Sequence, residues 1–161
     1  MAMAVSDCGI LSPLTAQRSS NSKGSLDLME KLLAGYAPQA YAAMRIVVGL
    51  LFFCHGLQKV FGWFGGVNGA AAPLLSLIGI AGLIELVTGA LIAVGFATVT
   101  AAFIASGQMA VAYFIGHFPS GFWPIQNGGQ ESVFYCFVFL YMATRGAGVW
   151  SVDAGSLRAP H

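Results

Sequence analysis

The sequence predicts an all-α integral membrane protein: a four-helix bundle preceded by an amphipathic helix lying in the membrane interface. Composition carries the first half of this. Seven Lys or Arg and six Asp or Glu give 8% charged residues in 161, where a soluble domain carries roughly a quarter. Apolar residues make up 57%, and the mean hydropathy is +0.77. The charge distribution carries the second half. Between Leu32 and Thr144 the only charged residues are Arg45, Lys59, Glu85 and Glu131. Too few polar groups remain to cover an aqueous globule, and the length allows one membrane domain. A net charge of +1 with no basic cluster excludes a nucleic-acid partner. The apolar content excludes disorder.

Residues 1–25 are polar and aperiodic, and are expected to form a flexible cytoplasmic tail without a signal-peptide core. A start codon further downstream is the alternative reading of that stretch. Over 26–37 a helical pattern places Leu26, Met29, Leu33 and Tyr36 on one face, opposite Asp27, Glu30 and Lys31. Gly35 and Pro38 end it; the eleven residues from Leu26 to Tyr36 cannot span a bilayer, so this helix is assigned to the interface. The four-helix domain occupies 41–153. Its spans are expected at Tyr41–Phe64, Leu74–Phe96, Thr98–Phe118 and Glu131–Thr144, the last short for a bilayer core. Only Ala97 separates the second from the third, which makes them a tight hairpin. The loop from Pro119 to Gln130, with its prolines, glycines, Trp123 and Asn127, reads as structured. Residues 154–161 form a C-terminal tail.

Orientation follows from the cations. Arg18, Lys23 and Lys31 precede the first span, and Arg145 and Arg158 follow the fourth. The positive-inside rule puts both termini in the cytoplasm of a bacterial inner membrane. Cys54 and Cys136 lie within apolar runs and Cys8 in the polar tail, without zinc or iron–sulfur spacing, so no metal site is expected.

Ionisable groups in hydrocarbon cost about 2.5–3.5 kcal/mol each on insertion scales, so each needs a reason. Helical spacing puts Arg45, Gly49, Phe52, His55 or Gly56, and Lys59 on one stripe. Glu85 shares a stripe with Gly82, Gly89 and Ala93; Gln108 with Ala101, Ala105, Ala112 and Gly116; Glu131 with Tyr135, Val138, Met142 and Arg145. Small residues allow close helix approach, so these stripes face the bundle interior. At about 1.5 Å of rise per residue, His55, Lys59, Glu85, Gln108, His117 and Glu131 share the middle and one end, while Arg45 and Arg145 form a group at the other. One reading is structural, with Lys59 paired to Glu85 or to Glu131. The other is a polar cavity in which Glu85 and His55, the catalytic candidates, exchange protons with a redox-active ligand, and Lys59, Gln108, Asn127, Glu131 and Arg45 are the ligand-binding or cavity candidates. Bis-histidine haem is disfavoured: His55 lies roughly 13 Å deeper than His117, and one iron needs both ligands on opposite sides.

The chain resembles the DoxX family of small four-helix bacterial inner-membrane proteins. The resemblance spans about residues 41–153. It rests on Arg45, His55, Gly56 and Lys59 in the order Arg-x9-His-Gly-x2-Lys, on Gly82, Glu85 and Gly89, on the Val94-Gly95-Phe96 turn, and on Asn127-Gly128-Gly129-Gln130-Glu131. The Gly-Pro-Gly common at the family's closing helix end is Gly146-Ala147-Gly148 here. The family takes its name from a subunit linked to an archaeal thiosulfate:quinone oxidoreductase, and other members are associated with quinone or catechol detoxification. The resemblance therefore implies a quinone-interacting or accessory subunit of a membrane redox system. Arg45, His55, Lys59, Glu85, Asn127 and Glu131 are the positions that match the family. A non-catalytic anchoring subunit of a larger complex is the alternative, and a small transporter a third. The expected partners are the lipid bilayer and other protein subunits, with self-association left open. No covalent cofactor is implied, and any flavin or reductant would come from a partner chain.

Overall fold

The computed structural model describes residues 28–156. The expected tail over 1–25 lies outside the described residues, as does the start of the amphipathic helix; its remainder is helical over 28–35 (α1), closed by a turn in which Tyr36 donates its N–H to Leu33 O. The chain divides into two compact units at Ala37 and Pro38.

Among the described residues the regular structure is all helical, with no strand and a single isolated β-bridge between Val67 and Ala70. In order they form α2 (Ala37–Phe61), α3 (Leu77–Val94), α4 (Thr98–Ala112), α5 (Pro124–Asn127), α6 (Gln130–Arg145) and α7 (Val152–Ser156). Three helical stretches are long and apolar enough to cross a membrane: Ala37–Phe61, Leu77–Val94 and Thr98–Ser120. The protein is a helical membrane protein. The 16 residues of α6 rise only about 24 Å, as its short apolar run in the sequence implied.

Glycine spacing explains how α2 and α3 pack. Gly49 and Gly56 on α2 meet Gly82 and Gly89 on α3, each pair seven residues apart. A Cβ on Gly49 would stand 2.6 Å from Ala93 N, and one on Gly89 2.5 Å from Phe53 N. Backbone therefore touches backbone, the close approach that small residues allow in lipid. Aromatic rings fill the space towards α6: Phe52 lies 4.6 Å from Phe139 and 5.4 Å from Tyr135, centroid to centroid. Ile92 and Met142 complete this core.

Turn chemistry fixes the helix ends. Ser76 Oγ accepts the Gly79 N–H at 3.1 Å and starts α3. Gly95, with φ +73°, ends it, and the N–H groups of Gly95 and Phe96 both return to Leu91 O. The hairpin to α4 is as tight as expected, but Ala97 offers no capping side chain. Asp153 from α7 supplies the cap, accepting from Ala97 N at 3.1 Å and Thr98 N at 3.3 Å. That contact lies beyond any local sequence signal.

The interior stripes of α2 and α3 face inward as the spacing predicts. Those of α4 and α6 do so only in part: Ala101 and Ala105, and Tyr135 and Met142, are buried, while the ends of both stripes are exposed. The buried face of α4 is Ala101, Ala102, Ala105, Ser106 and Met109, while Gln108 sits on its flank and Gly116 is exposed. On α6 the buried set is Ser132, Tyr135, Phe139 and Met142, and both Glu131 and Arg145 are exposed. A single π-helical turn at Tyr113–His117 follows α4 and contains Gly116, so the straight-helix spacing does not hold for that residue. On α6 Tyr135 and Phe139 pack against Phe52, and in the first turn Ser132 is buried while Glu131 is exposed.

Candidate functional site

Arg45 is fully buried, 0% exposed, in the half of the bundle that holds the α3–α4 turn. Its Nη1 donates to Ile92 O at 2.6 Å and Ala93 O at 2.8 Å, and Nη2 to Trp150 O at 2.7 Å. Ile92 and Ala93 belong to the last turn of α3, whose carbonyls lack helical donors and favour a cation. The guanidinium is thus spent on closing helix ends. Tyr41 beside it donates its hydroxyl to Gly146 O at 2.6 Å, with Arg145 stacked over its ring. Arg45 is placed away from the other candidates and ties α2, α3 and the segment after α6 together.

The remaining polar residues form two groups rather than one cavity. The first is buried. Glu85, 1% exposed, receives a hydrogen bond from Lys59 Nζ on its Oε1, and the same oxygen accepts from Gln108 Nε2 at 3.0 Å. Gln108 also donates to Ala81 O at 3.2 Å. The ion pair joins α2 to α3, and Gln108 joins α4 to α3. Of the two carboxylates that the sequence offered Lys59, the fold chooses Glu85.

The second group is solvated. His55 and Glu131 meet at 3.0 Å across α2 and α6, with side chains 35% and 64% exposed. His55 is therefore directed at Glu131, and the hydrogen bonds of Glu85 go to Lys59 and Gln108. Proton exchange between His55 and Glu85 has no direct contact to run through. Asn127 builds the connecting loop: it donates to Gly121 O at 2.7 Å, accepts from Gly129 N at 2.8 Å, and its main-chain O contacts His117 Nδ1 at 3.2 Å. Tyr113 fastens the same loop through Phe122 O.

Beside the buried group a groove of about 560 Å³ runs between α3 and α4, a size that suits a small organic ligand. Its walls are mostly apolar, with Ile80, Ile84, Ile104 and Val111 among them, and Lys59, Gln108 and His117 are its polar members. Glu85 lies one hydrogen bond behind this wall. Gly107 and Gly116 help to make the groove, since a Cβ on either would meet no atom within 4 Å among the described residues. Sequence reasoning placed Gln108 in the interior and missed the groove. The available signal was Gly107, a glycine of α4 that falls off the interior stripe. Such a groove opens sideways, where a bilayer would be.

A family model described as DoxX matches residues 40–118. Over 127 residues the chain is 39% identical to an uncharacterised protein of Haemophilus influenzae, covering 75% of this chain and 93% of that relative. No solved structure matches the chain.

Proposed function

The chain belongs to the DoxX family, and on that premise we propose that it is an accessory subunit of a membrane redox system that takes a quinone-class lipid into the α3–α4 groove. The observation that carries this is the Lys59–Glu85–Gln108 cluster against the wall of an otherwise apolar groove. A bilayer-soluble molecule with an apolar tail and a polar ring matches that division: the tail replaces acyl chains along Ile80 and Val111, and the ring reaches Lys59 and Gln108. Glu85 holds the ammonium and the amide in place behind them. His55 and Glu131 stand outside the groove in this reading and clasp α2 to α6. The protein sits in the bacterial inner membrane with both termini cytoplasmic, since its cations flank the bundle and are nearly missing from the loops of the other face.

An anchoring subunit of a larger complex is the second reading, favoured by the ties at Arg45 and Lys59 that hold helices together. Mass spectrometry of lipophilic molecules released from gently purified protein separates the two. A quinone-class compound at near-stoichiometric amount, lost in Gly107→Leu, is the expected result. Stoichiometric protein partners with no enriched ring compound would support the anchor and overturn the groove reading.

A further inference from the structure

Lys59 is the only Lys, Arg, Asp or Glu in the groove wall among the described residues, and its side chain is 24% exposed. One of its three ammonium N–H groups goes to Glu85 Oε1, and among the described residues nothing takes the other two. Glu85 stands behind that wall, 1% exposed, and does not line the groove. The other two ions of the spans are occupied elsewhere, Arg45 with Ile92, Ala93 and Trp150, and Glu131 with His55. Lys59 and Glu85 therefore sum to zero, and the groove is offered donors without a net charge. That balance matters in lipid. An uncancelled ammonium beside a groove open to the bilayer would gather anionic phospholipids and fatty acids by charge. With Glu85 in place, a carboxylate or phosphate on Lys59 Nζ meets a second anion. Two hydrogen bonds in series put the two roughly 5–6 Å apart, in a low dielectric, with one cation between them. One of the anions must then be protonated or left unpaired. A neutral carbonyl oxygen takes the same N–H groups and adds no charge.

We propose that Glu85 determines the specificity of the groove: by cancelling the charge of Lys59 from behind, it makes the groove accept apolar-tailed ligands with a neutral acceptor head and reject anionic lipids. The proposal rests on the reading of the groove as a quinone-class site. Glu85 is a positioning residue here, acting through Lys59 without touching the ligand. Both redox forms of a quinone are neutral and carry acceptor oxygens, so both qualify.

The test uses the full chain in nanodiscs of zwitterionic lipid at about pH 8, above the ordinary carboxylate range. A decyl-tailed benzoquinone and the tail-matched benzoate are titrated separately, each against protein-free nanodiscs. The expected result is at least about tenfold tighter binding of the benzoquinone, lost in Gly107→Leu. Glu85→Gln can still accept from Gln108 Nε2 but leaves the Lys59 charge bare, so the order should reverse. Anionic phospholipid added to the nanodiscs should compete with the benzoquinone in Glu85→Gln, and should change its affinity in the wild type by less than about twofold. Equal affinities or a tighter benzoate in the wild type, with both lost in Gly107→Leu, would overturn the proposal and leave the groove reading standing. A folded Glu85→Gln that keeps the wild-type ratio would do the same. Saturable binding of neither probe would mean that lipid alone occupies the groove, and would overturn both. If Glu85→Gln fails to fold, the wild-type ratio and its response to anionic lipid decide the proposal.

Discussion

Lys59→Met is the perturbation with the most to say about the buried cluster. Glu85 is 1% exposed and depends on two donors at Oε1, so losing Lys59 leaves only Gln108, at 3.0 Å. Breaking one side of a buried ion pair typically costs about 3–5 kcal/mol. The lower end applies here, because the Lys59 side chain is 24% exposed and Gln108 still donates. Adding Glu85→Gln should recover most of the loss. An amide at position 85 accepts from Gln108 Nε2 and donates to Gln108 Oε1, so a reciprocal pair replaces the unsatisfied carboxylate. Glu131→Gln should recover nothing, since Glu131 faces His55. The assay is reversible unfolding in detergent or bicelles across the double-mutant cycle, with a coupling energy of at least about 1 kcal/mol expected for the 59–85 pair. Equal rescue by Glu131→Gln, or a loss below about 0.5 kcal/mol in Lys59→Met, would refute the pairing.

Arg45→Lys should cost about 2–3 kcal/mol in the same assay, because one ammonium cannot reach both Ile92–Ala93 and Trp150 as the planar fork does. Gly49→Val should prevent assembly of α2 on α3, whereas Gly107→Ala, with open space around its Cβ, should be neutral or stabilise by about 0.5–1 kcal/mol; yields of folded protein on size exclusion distinguish them. His55→Gln and Glu131→Gln should each change stability by less than about 1 kcal/mol, as expected of an exposed pair, with loss of the bundle as the contrary outcome. A cysteine at Gly69 should label from the periplasmic side of intact cells; labelling only after lysis would reverse the orientation.

The helices that reach across the membrane were legible because apolar length needs no knowledge of neighbours. The α2–α3 interface was legible for a related reason: Gly49, Gly56, Gly82 and Gly89 mark a close backbone approach in their own spacing. Partner choice was not. Glu85 and Glu131 both fell within reach of Lys59 by depth along the helix axis, and the three-dimensional packing gives Lys59 to Glu85 and His55 to Glu131. Arg45 drew attention as a buried charge, yet its partners are main-chain carbonyls, which carry no residue identity to read. Asp153 escaped notice as the cap of α4 because it lies more than fifty positions away; Ala97, a poor cap in the place where a good one was needed, was the available hint. The groove itself lies between α3 and α4, and which flanks of two apolar helices leave a gap has no signature in hydropathy.

The most direct measurement of the central claim is photo-crosslinking with a ring-labelled azidoquinone in native membranes, followed by peptide mapping. Adducts should fall on the facing stretches of α3 and α4 around Ala81, Gly107 and Gln108, should be competed by unlabelled quinone, and should vanish in Gly107→Leu. Adducts spread evenly over lipid-facing residues such as Phe134 and Phe137 of α6, or unchanged by Gly107→Leu, would contradict the account.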